Sequence, residues 1–155
     1  MTRYRVAFIA FVVAFLAGCD HPIGIITPHA EVGDLVVRDS TGAIVARTVL
    51  NRSWEPESLV LRDGRSLRVE LEALDFRGVP LDIAGRRGFS FRFEAVRGAL
   101  LQWEPLGGFG RLHPFAIGET EARFLVWHVD HADFVSPWLR IIVTPPASPS
   151  TESSQ

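Results

Sequence analysis

The residues best suited to chemistry crowd into one short stretch, His128-Val129-Asp130-His131-Ala132-Asp133. Imidazoles and carboxylates are ligands for zinc, nickel or calcium, and neutral histidine competes well for a metal near pH 7. His128, Asp130, His131 and Asp133 could converge on one ion, with His113 as an outlying candidate. The spacing matches no established zinc signature. The competing expectation is a plain turn whose aspartates bond their own backbone while the histidines sit at the rim. Ser136, His131 and Asp130 have the side chains of a hydrolase triad, but crowding in one turn is not triad geometry. The chain has no G-x-S-x-G, no P-loop and no H-E-x-x-H, so no catalytic residue is assigned and an enzyme is not expected. Four tryptophans form the second feature, of which Trp127, Trp138 and Trp103 are candidates for a partner or glycan platform. Core packing is the plainer use for such rings.

Positioning the cluster falls to the segment before it. If residues 122–129 form a strand, Ala122, Phe124, Val126 and His128 share one face, and Arg123, Leu125, Trp127 and Val129 share the other. His128 then ends the strand, and Asp130 to Asp133 make the turn before Phe134. Strand signals run through the rest of the middle. Residues 35–39 and 43–49 flank Ser40-Thr41-Gly42 as a hairpin-like pair, and 67–73 alternates apolar with charged residues until Asp75-Phe76-Arg77-Gly78 turns the chain. Phe89, Phe91 and Phe93 alternate with polar residues, and 99–103 and 138–144 add two further strands. Gly107-Gly108-Phe109-Gly110 reads as a bulged hairpin turn, and Arg86-Arg87 between two glycines reads as an exposed tip. Helical periodicity is missing throughout. Seven to eight short strands between residues 34 and 144 predict an all-β antiparallel sandwich.

Within that region the order of motifs resembles bacterial immunoglobulin-like domains. The matching residues are Leu59-Val60-Leu61-Arg62-Asp63-Gly64, the strand from Ser66 with the turn Leu74 to Pro80, and Ala116 to Phe124. Phe89-Ser90-Phe91 stands where many relatives have a Trp-Ser turn. The resemblance implies an immunoglobulin-like sandwich serving as an adhesive, spacer or binding module.

The N-terminus supplies an address. Arg3 and Arg5 precede an apolar run from Val6 to Ala17, too short to span a bilayer, which needs about 20 residues. Leu16-Ala17-Gly18-Cys19 then resembles the lipobox of bacterial lipoproteins. The resemblance implies cleavage before Cys19 and a covalent lipid on its sulfur. Two or three acyl chains would hold such a protein durably on a membrane. The expected order is a signal peptide over residues 1–18, a Pro/Gly-containing tether over 19–33, the sandwich over 34–144 and a Pro/Ser-rich disordered tail over 145–155. Removing the signal leaves 137 residues with 14 arginines against 18 acidic residues, a net charge of -4, which argues against nucleic acid as a partner. One cysteine excludes an internal disulfide. The sequence thus predicts an exported, membrane-anchored envelope protein with a non-catalytic binding or structural domain. It leaves the membrane leaflet open, and the alternative is a metal-binding module built on the cluster at 128–133.

Overall fold

The structure, a computed structural model, describes residues 29–146. The signal segment, Cys19, most of the tether and the tail from 147 lie outside the described residues.

The described chain contains twelve strands and no helix. One sheet holds β1 (Val32–Asp39), β2 (Ile44–Val49), β3 (Ser53–Glu55), β5 (Leu67–Asp75), β6 (Pro80–Leu81), β8 (Leu101–Leu106) and β9 (Phe109–Pro114). The other holds β4 (Ser58–Arg62), β7 (Phe89–Ala95), β10 (Gly118–His128), β11 (His131–Val135) and β12 (Leu139–Thr144). Pairing is antiparallel except between β12 and β4, which run parallel. The all-β sandwich expected from alternation is therefore the fold, with twelve strands in place of seven or eight. The additional strands are short or lack the alternating signal: β3 and β6 have three and two residues, and β11 begins on charged residues that read as a turn.

Each sheet turns alternate side chains inward. Val37, Val69 and Leu112 from the first sheet meet Phe124, Val126, Leu139 and Ile141 from the second, and all are fully buried. Burying one such side chain contributes about 1.5–3 kcal/mol. Trp54 packs edge-on against Phe124 and donates its indole N–H to the Pro137 carbonyl at 2.7 Å, so its polar atom is satisfied inside the core. In β10 the inward set is Ala122, Phe124, Val126 and His128, the four residues that the alternation groups on one face. Three positions are thus apolar core, and the fourth, at the sandwich end, is a histidine.

At that same end the chain enters β1, β2 turns into β3, β5 turns into β6, and β10 turns into β11. The pairings Val32 with Asp75 and His128 with His131, and the bonds from the Leu50 and Asn51 amides to Asp34, fix this arrangement. We refer to it as the entry end.

Candidate metal centre

His128 is brought opposite His131 by a two-residue hairpin, Val129-Asp130. The turn before Phe134 is therefore shorter than the sequence suggests, and residues 131–133 belong to β11. Val129 carries the bend with φ of 51°, a left-handed conformation that β-branched residues rarely adopt. A glycine there would have announced the turn; a valine does not.

The pairing then slips by one residue. Val126 faces Phe134 and Trp127 faces Ala132, which leaves Asp133 as the extra residue of a β-bulge. A bulge re-aims the side chain it carries. Asp133 is directed inward, its side chain only 1% exposed, while Phe134 still reaches the core.

A fourth group arrives from the segment entering β1. The His29 Nδ1 lies 2.9 Å from Asp133 Oδ1, and the Ala30 amide donates to Asp133 Oδ2 at 2.7 Å. His131 Nε2 lies 3.0 Å from Asp133 Oδ1 and 3.3 Å from His29 Nδ1. His128 Nδ1 stands 3.8 Å from Asp133 Oδ2. One ligand atom from each of His29, His128, His131 and Asp133 lies within 4.8 Å of every other. Ligands of a tetrahedral zinc ion with bonds of about 2.0–2.1 Å sit about 3.3 Å apart, so modest side-chain rotations bring these four into range.

The polar balance of the cluster is uneven. The His128 ring is 2% exposed and stacks on Phe89 with centroids 4.1 Å apart. Its Nδ1 is sealed from solvent and has no hydrogen-bond partner among the described residues. Leaving a buried polar atom unpaired costs about 1–3 kcal/mol, so such an atom calls for an explanation. Trp103 Nε1 is the other such atom among the described residues, but no ligand group is gathered around it. The His128 Nδ1 faces the shared space of three other ligand groups. Gly88 is tight against this wall, since a Cβ there would lie 3.2 Å from Val129 and 3.5 Å from the His128 ring.

Asp130 plays a different part from the one its position suggests. Its carboxylate is 85% exposed and bonds His131 Nδ1 at 2.8 Å, on the far side of the ring from the other ligands. Holding Nδ1 protonated leaves Nε2 as the ligating atom, which is how a carboxylate orients a metal-binding histidine. The same bond raises the His131 pKa above 6.5 and lowers that of Asp130 below 3.8. Burial acts to raise the Asp133 carboxyl, but the hydrogen bonds from His29 and the Ala30 amide outweigh it, and its pKa lies below 3.8.

The structure thus brings together His128, His131 and Asp133 of the expected set, moves Asp130 to an orienting position and adds His29. Sequence reasoning missed His29 because it lies in a Pro/Gly-containing stretch with no period to mark it as part of the domain. His113 is remote from the cluster and bonds Ser66 and Glu104 instead. Ser136 accepts from the Phe124 amide and donates to the Pro137 carbonyl, serving the strand crossing and not His131.

The three candidate tryptophans divide. Trp127 is covered by the Arg92 guanidinium at 3.7 Å and Trp138 by Arg123 at 4.6 Å. Trp103 packs instead on Phe93 and Phe124, over Gly110, where a Cβ would lie within 2 Å of its ring. It shares no surface with the other two.

The chain matches no protein-family model, and no curated protein matches it.

Proposed function

We propose that this protein is an exported, lipid-anchored envelope protein whose immunoglobulin-like sandwich binds one divalent transition metal ion through His29, His128, His131 and Asp133. The observation that carries the reading is the buried, partnerless Nδ1 of His128 facing three further ligand groups. Three imidazoles and one carboxylate suit zinc, nickel or copper, whereas calcium takes oxygen ligands throughout. Four protein ligands would fill a tetrahedral shell and leave no open position for a substrate, which favours binding or structural use over catalysis. The lipobox at residues 16–19 supports the anchor.

Elemental analysis and intact mass spectrometry of the protein extracted from membranes test both parts. The expected result is about one zinc, nickel or copper per chain, with a mass that begins at Cys19 and includes acyl chains. A chain without metal that takes none up from micromolar zinc, nickel or copper would remove the metal assignment. An unmodified Cys19 would remove the anchor.

A further inference from the structure

We infer that the entry end of the sandwich rests on the lipid bilayer through the side chains of Leu50, Phe76 and Val129. The inference depends on the lipid-anchor reading of Cys19.

Three separate turns at this end each carry an apolar side chain at the tip: Leu50 between β2 and β3, Phe76 between β5 and β6, and Val129 between β10 and β11. They are 75%, 79% and 65% exposed, so they add nothing to the core. Two of them also hold unfavourable backbone, with φ of 52° at Leu50 and 51° at Val129. Glycine or asparagine would suit those turns better and would be more soluble. The sequence therefore keeps exposed apolar groups where local conformation argues against them, and such groups in combination mark an interaction surface.

The path of the chain names the surface. His29 enters the fold at this end, bonded to Asp133, and lies ten residues after Cys19. Ten residues reach at most about 36 Å when fully extended. An acylated Cys19 therefore tethers this end close to the bilayer. Exposed charge around the tips includes Arg52, Arg77, Arg86 and Arg87 beside Glu31, Asp82 and Asp130. Asp34 accepts from the Leu50 and Asn51 amides of the β2–β3 turn, and Asp75 from the Arg77 and Val79 amides of its own turn.

The opposite end is built differently. Two of its turns, Ser40-Thr41-Gly42 and Asp63-Gly64-Arg65, are polar. Exposed Val96 lies there in the turn over 96–100 and exposed Phe115 and Ile117 on the segment joining β9 to β10, and none of the three has positive φ.

The test uses the full lipidated protein in vesicles of phosphatidylcholine and phosphatidylglycerol. Cys19 sulfur is consumed by its lipid, so L50C, F76C and V129C each supply a single thiol for an environment-sensitive fluorophore, with T41C and I117C as controls. Brominated lipid is expected to quench the probes at 50, 76 and 129 by about twofold or more and to leave those at 41 and 117 unchanged, while aqueous iodide does the reverse. Equal quenching at all five positions in protein that mass spectrometry shows to be acylated overturns the inference and spares the anchor. Protein whose Cys19 is found unmodified overturns both.

Discussion

His113 and His128 sit in the same sandwich among the same residue types, yet their surroundings are opposite. His113 is partly open to water, with Ser66 Oγ 2.8 Å from its Nδ1 and Glu104 Oε2 3.1 Å from its Nε2. Glu104 is held in turn by Arg111 at 3.0 Å. Every polar atom of that ring is matched, and solvent screens the charges, so the network is a surface feature worth little. His128 is buried against Phe89, with one nitrogen unmatched and three other ligand groups in front of it. A histidine beside a carboxylate is thus not a site by composition. Burial combined with an unmet bond is what sets His128 apart.

The contrast is broken most forcefully by removing Asp133, the group on which the cluster converges. Asp133→Ala should reduce zinc affinity by more than the roughly 10–100-fold that loss of an orienting partner costs. It should also cancel the rise in Tm, about 10 °C for the wild type at zinc 100-fold above its Kd, followed by circular dichroism. Glu104→Ala, the matching change at His113, should leave the zinc response intact. Asp130→Asn comes next, with an expected loss of about 10–100-fold in zinc affinity by calorimetry and an unchanged fold.

A smaller effect with the opposite sign separates the two histidines in metal-free protein. His128→Leu removes an unpaired buried nitrogen and should raise stability by about 1 kcal/mol in urea denaturation while abolishing the zinc response. His113→Leu should change stability by less and leave zinc binding alone. Val129→Gly should stabilise by about 1 kcal/mol through relief of the left-handed valine, without loss of zinc affinity.

The smallest effect is the dependence on pH. His131 has a raised pKa, so its contribution in metal-free protein is full below 6.5 and fades as pH rises through the folded value. Asp130 and Asp133 have lowered values, so theirs is present above 3.8 and fades as pH falls through the folded values. Stability from the cluster should therefore be greatest between these limits, and His131→Ala should remove the upper limb from a series of urea melts. Zinc affinity should run the other way on that limb and rise with pH as the metal displaces the His131 proton.

Much of the fold was legible because strand alternation is a direct image of burial. The parity of residues 122–128 grouped His128 with Ala122, Phe124 and Val126 on one face, which the structure buries, and the glycines at 107–110 marked the β8–β9 hairpin. The site was legible only in part. A two-residue turn with valine at its left-handed position and a bulge at Asp133 have no composition signal, and together they convert an apparent loop into a strand with an inward carboxylate. His29 is joined to the cluster by contacts spanning 104 residues, which no local pattern encodes.

The central claim is tested most directly by calorimetric titration of zinc into the metal-free full-length protein, with His128→Leu measured alongside. The account predicts one zinc per chain for the wild type and no binding heat for the variant. Equal binding by both, or none by the wild type, would contradict it.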